Sequence, residues 1–136
     1  MSYLLASALQ AAVFQALSGN ATVAELSGGA IYDAQPLGAT AGSYISLGPE
    51  DVVDISDRSG PIARHDFTIS VVTDAAGFQA AKTLAEAVNA CLTQGALTLP
   101  AGRVAGVWFR KAKARRVGTN ATRRIDLTFR ALVSPE

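Results

Sequence analysis

The stretch VAGVWFRKAKARRVGTNATRRIDLTFRALV, residues 104–133, decides how the rest of the chain is read. Two long runs of alternating character, Val104 to Arg116 and Thr122 to Val133, flank Gly118-Thr119-Asn120. Alternation of this kind marks strands with one buried face, and Gly and Asn mark the turn between them. A turn centred on Thr119-Asn120 pairs residues whose numbers sum to 239. Trp108 is then expected to face Ala131, Ala112 to face Leu127, and Ala114 to face Ile125. Each pair sets a small side chain against a large one on the core side. On the other side Lys113 meets Asp126. The same register sets Arg115 against Arg124 and Arg116 against Arg123, a tip of four arginines. Like charges directly opposite one another destabilise a hairpin.

Upstream, Arg64 to Thr73 reads as a half-buried strand, with His65, Phe67, Ile69 and Val71 on one face and Asp66, Thr68 and Ser70 on the other. Tyr44–Leu47 is a strand that Gly48-Pro49 breaks or kinks before Val53 and Ile55 resume the alternation. Asp57 to Pro61 is a turn. Ala30–Tyr32 is a short strand, and Asp33 to Ser43 a loop. Two stretches have helical spacing instead. Leu5, Ala8, Leu9, Ala12, Val13, Ala16 and Leu17 form one stripe within Tyr3–Leu17. Phe78, Ala81, Ala85, Val88 and Leu92 form another within Phe78–Leu92. Thr22 to Glu25 has capping-box spacing for a short extra helix before Gly28-Gly29. Leu97 and Leu99 suggest a short extended piece. The order helix, strands, helix, strands predicts an α+β fold: a mainly antiparallel sheet of four to five strands packed on two main helices.

The chain has 136 residues, 49% of them hydrophobic and 17% charged, which suits one domain spanning residues 1–136 and excludes a disordered chain. Its single cysteine, Cys91, excludes an internal disulfide and a cysteine-built metal site. Residues 1–24 carry no charge, but Gln10 and Gln15 interrupt the run and no basic residue precedes it. About 16 helical residues fall short of the ~20 that a membrane span needs. No membrane partner is expected.

The net charge of +1 conceals a division. Residues 1–102 carry three Lys/Arg and nine Asp/Glu, whereas residues 103–136 carry nine Lys/Arg and two Asp/Glu. An acidic front and a basic tail point to a charged partner or to further copies of the chain. Two charge concentrations stand out. One is Glu50, Asp51, Asp54 and Asp57; the other is Arg110, Lys111, Lys113, Arg115, Arg116, Arg123 and Arg124. The acidic group fits no calcium-loop spacing, so a solvated loop is the simpler reading. If copies pack head to tail, one copy's acidic loop can meet the next copy's arginine tip, and such contacts make rings when the rotation closes.

Catalytic chemistry is sparse. His65 is the single histidine and lies on an apolar strand face, as a core or subunit-interface residue would. Cys91 sits mid-helix beside the apolar stripe as a packing residue. There is no Gly-x-Ser-x-Gly elbow, phosphate loop, Gly-x-Gly-x-x-Gly or His-Glu-x-x-His, so no catalytic, cofactor or metal residues are assigned and no enzyme is expected. Asn20-Ala-Thr22 and Asn120-Ala-Thr122 match the glycosylation pattern by chance.

The series of elements carries a resemblance. It comprises the helix Met1-Ser-Tyr-Leu through Leu9-Gln-Ala-Ala-Val13-Phe, then Ala30-Ile-Tyr-Asp33 with Pro36, and Tyr44-Ile-Ser-Leu-Gly48 with its acidic stretch. His65, Thr68-Ile-Ser-Val71, the Gly77-Phe helix with Ala81-Lys, and the closing Arg124-Ile-Asp-Leu-Thr-Phe-Arg130 complete it. This order resembles the small tail-completion or tail-terminator proteins of long-tailed phages, prophages and alphaproteobacterial gene transfer agents. The resemblance implies a structural virion protein without catalysis or cofactor. It implies a hexameric ring at the head-proximal end of the tail tube that stops tube growth. Its partners would be copies of itself, the tail-tube protein and the head–tail connector or stopper protein, with DNA only as cargo through the lumen. Localisation would be the virion tail, or a phage-like particle, assembled in the bacterial cytoplasm.

Two other readings remain open at this stage. A stopper or adaptor would share the head–tail setting. A nucleic-acid-binding module would use the basic hairpin on phosphates. Against the module stand a pI of 7.9 and few aromatics on the basic strand, where Trp108 and Phe109 alone occur.

Overall fold

The computed structural model describes residues 5–33, 42–75, 77–95, 97–117 and 122–135. Strand β5 (Arg123–Ser134) runs through the middle of the sheet. Its Ile125, Leu127, Phe129, Ala131 and Val133 are buried, while the residues between them are half-buried. It lies between β3 (Ala63–Thr73) and β4 (Arg103–Arg116), antiparallel to both. Beyond β3, β2 (Tyr44–Asp54) continues the antiparallel order. Beyond β2, β1 (Ile31–Tyr32) adds two residues in parallel. The order is therefore β1-β2-β3-β5-β4, with β4 along one whole edge.

Helices α1 (Ala6–Gly19), α2 (Ala21–Ser27) and α3 (Gln79–Gln94) supply the other layer. Leu9, Val13 and Leu17 of α1 and Ala81, Leu84, Val88 and Leu92 of α3 join the inward side chains of the strands in one core. Full burial of each Leu or Val stabilises by about 1.5–3 kcal/mol. The fold is α+β, a mainly antiparallel sheet with helices on one face, as the order of elements predicts. The remaining face has no helix over it among the described residues.

Local chemistry sets the helix limits. The Asn20 side chain accepts a hydrogen bond from the Val23 N–H at 3.0 Å, so Asn20, and not Thr22, caps α2. Gly28 at φ 66 ends it. Phe78 is the residue before α3 rather than its first turn. Tyr3 and Leu4, the loop residues 34–41 and the hairpin tip 118–121 lie outside the described residues. Leu97 and Leu99 form no strand, although Leu99 is buried.

Three strand expectations need correction. β2 is continuous, with its register shifting between Leu47 and Glu50. A Cβ at Gly48 would stand 3.1 Å from the Thr68 carbonyl oxygen, and Pro49 needs no donor at a sheet edge. The bulge turns Val53 out to solvent instead of into the core, and Ile55, just past the strand, is exposed as well. Glu50, Asp51 and Asp54 consequently lie on a strand, and of the acidic group Asp57 alone sits in the β2–β3 turn.

In the closing hairpin, the expected register holds from Lys111↔Thr128 to Arg116↔Arg123. Two bulges, between Phe109 and Lys111 and between Val104 and Gly106, displace the remainder. Trp108 therefore faces Arg130 rather than Ala131. Its ring is 48% exposed on the helix-free face, where it folds back over Gly106; it is not a core residue. Phe109 takes the inward place beside Phe129, at 6.1 Å between ring centroids, yet stays 46% exposed at the edge.

Candidate assembly interface

The acidic and basic groups lie on opposite edges of the sheet. Glu50, Asp51 and Asp54 occupy the outer half of β2, beyond the two residues that β1 covers. Arg110, Lys111, Lys113, Arg115 and Arg116 run along β4. β3 and β5 separate the two groups, so within one copy they do not meet.

The acidic end is shaped by turn chemistry. Asp54 accepts hydrogen bonds from the hydroxyl and N–H of Ser56, and Asp57 does the same with Ser59. These bonds, hydroxyl first, hold both carboxyls below the usual carboxylate range. Asp51 faces Asp66 across the strands, but Asp66 turns to Arg130, which donates to it at 2.8 and 3.1 Å. That bond lowers the Asp66 carboxyl against the opposing effect of burial, and Arg64 and Arg110 add to it. Asp51 has no partner among the described residues.

The four-arginine tip is not left to repel itself. Burial raises the Asp126 carboxyl, but the Ser70 hydroxyl, donating at 2.6 Å, and Arg124, donating at 2.9 Å, outweigh it and leave the group lowered. Arg115 approaches the same carboxylate at 3.7 Å. Arg123 leaves the cluster by lying over the Phe78 ring, 5.3 Å from its centroid. Arg123 and Arg124 are thus tied into the fold, whereas Lys111 and Lys113 make no ion pair among the described residues. Sequence reasoning missed Trp108 and Val53 as surface residues, because the bulges that expose them leave no clear periodicity.

The residues considered for catalysis are occupied by packing. His65 is fully buried, with Nδ1 3.5 Å from the Glu50 carboxylate, an ion-pair distance rather than a hydrogen bond. The Cys91 thiol donates to the Ala16 carbonyl at 3.4 Å, and burial pushes the thiol up, which makes a thiolate harder to form. Between α3 and β4 lies an apolar groove of about 280 Å³, lined by Phe109, Ala112, Ala114, Ile125 and Leu127 with Lys82 and Glu86 at its rim. Small alanines on β4 leave this space open.

The family model described as Tail completion protein gp17 matches residues 11–134. The chain belongs to this family. It is a structural protein of phage-tail assembly. A solved structure titled "Virion of native gene transfer agent (GTA) particle" contains a chain 57% identical to this one, with a TM-score of 0.88 over 97% of this chain and 98% of that chain. No curated protein sequence matches.

Proposed function

We propose that this chain, as one domain spanning residues 1–136, forms a ring at the head-proximal end of the tail tube, stops tube growth there and joins the tail to the head connector. The ring is hexameric. Its partners are copies of itself, the tail-tube protein and the head–tail connector or stopper, and DNA passes through the lumen as cargo. The protein works in the virion tail or a phage-like particle. No catalytic step belongs to this role.

One observation carries the reading: near-complete coverage, at 57% identity, of a chain from a gene transfer agent virion, joined to the tail completion family match. The sheet supports it independently. One edge is acidic and the other basic, and within one copy β3 and β5 stand between them. The acidic strand Glu50–Asp54 with Asp57, and the basic residues Arg110, Lys111, Lys113, Arg115 and Arg116, are assigned to protein contacts. Arg123 and Arg124 shape the end of that basic surface. Light scattering after gel filtration, across protein and salt concentrations, tests the ring. A mass of about six protomers that loosens with salt supports it. A monomer that also fails to associate with tail tubes contradicts it.

A further inference from the structure

The ladder can be followed across the sheet row by row. One row runs Gly106, Leu132, Arg64, Val53; the next, on the opposite face, runs Val107, Ala131, His65, Val52. Further rows run Trp108, Arg130, Asp66, Asp51 and Phe109, Phe129, Phe67, Glu50. Each begins at the β4 edge and ends on β2. Because each of the three pairings is antiparallel, β2 runs opposite to β4. A second copy facing the same way and placed beside the first therefore sets its β2 antiparallel to β4, as strand pairing allows. Among the described residues, no strand pairs with the outer side of β4, or with β2 beyond Ser46.

Apolar residues of the two edges then fall into place. Trp108 folds over Gly106, and the Gly106 row ends in Val53, so the next copy's Val53 meets the indole on the helix-free face. Phe109 and Val107 meet the next copy's Val52 on the helix side, at the mouth of the α3–β4 groove. Charge agrees with shape. On the helix-free face Lys111 follows Trp108, whose row ends in Asp51. An edge this long presents a row of main-chain donors and acceptors that a complementary strand can pair with.

We infer that β4 of one copy pairs antiparallel with the outer half of β2 of the next, with Trp108 against Val53 and Lys111 near Asp51 on the helix-free face, so that the sheet continues from copy to copy. The inference rests on the ring reading above and names the contact that makes the ring. The pairing is head to tail, so it closes only by rotation. Main-chain bonds supply attachment, and the charged and apolar rows fix the register.

Two charge variants test it. In one, Lys111→Glu sets a carboxylate against Asp51 at the contact; in the other, Asp51→Lys sets an ammonium against Lys111 there. Each alone is expected to assemble at least about tenfold more weakly, whereas an equimolar mixture recovers assembly with alternating copies. Carbodiimide treatment of the wild-type assembly, made from heavy- and light-isotope copies, should join Lys111 of one copy to Asp51 of another. Wild-type rings joined solely through other carboxylates, or variants that assemble singly as well as wild type, would overturn the edge pairing and leave the ring standing. Absence of any wild-type assembly, free or on tail tubes, would overturn the ring and the pairing together.

Discussion

The two strands of the closing hairpin are hydrogen-bonded along their length and yet behave as opposites. In β5 every second residue from Ile125 to Val133 is buried; in β4 none is buried, and Trp108 and Phe109 are each nearly half exposed. Both carry apolar residues. The difference is position: β5 has a strand on each side and helices above, while β4 is an edge interrupted by two bulges. An apolar residue on an inner strand stabilises the single copy. The same residue on an edge does little until another chain arrives.

Substitutions sharpen that contrast, from the largest effect to the smallest. Phe129→Ala should cost about 3–5 kcal/mol in chemical denaturation, since its ring is fully buried between Phe67 and Phe109. Gly102→Ala should cost about 2 kcal/mol, because Gly102 has φ 84 and an added Cβ would stand 2.6 Å from the Ser134 carbonyl oxygen. Asp66→Asn should cost about 1 kcal/mol at pH 7, as Arg130 loses its charged acceptor. Trp108→Ala should cost less than about 1 kcal/mol in the single copy while weakening assembly. A loss at Trp108 as large as at Phe129 would erase the distinction between the strands.

Acid gives a related check. The Asp66 and Asp126 carboxyls are lower in the folded chain than in the unfolded one. Their contribution is therefore complete above the unfolded value near ~4 and is lost as pH falls through the folded values. Wild-type stability should drop below about pH 4, and Asp66→Asn should flatten that drop. At the arginine tip, Arg115→Glu with Arg116→Glu should spare the fold, whereas Arg123→Glu with Arg124→Glu should also destabilise it, through Phe78 and Asp126.

Much of this was legible in the chain. Helical stripes and the alternation of His65 to Val71 give the layers, and the turn between Arg116 and Arg123 gives the tip register through Lys113 and Asp126. The remainder turned on bulges. One extra residue near Arg110 moved Trp108 from the inner face to the outer, and the shift at Gly48-Pro49 did the same for Val53. A bulge is a compromise among neighbouring strands, and no single strand's pattern records it. The charge groups were visible as composition, but their placement on opposite edges required the strand order. Asn20 caps α2 although the Thr22-x-x-Glu25 spacing points to Thr22, because cap spacing alone does not say where the first turn begins.

The most direct measurement is the length of tail tubes grown from purified tail-tube protein with and without this chain, seen by electron microscopy. Tubes given the chain should carry a ring at one end and stop lengthening there, as the terminator role requires. Tubes that grow to the same lengths with bare ends would contradict it.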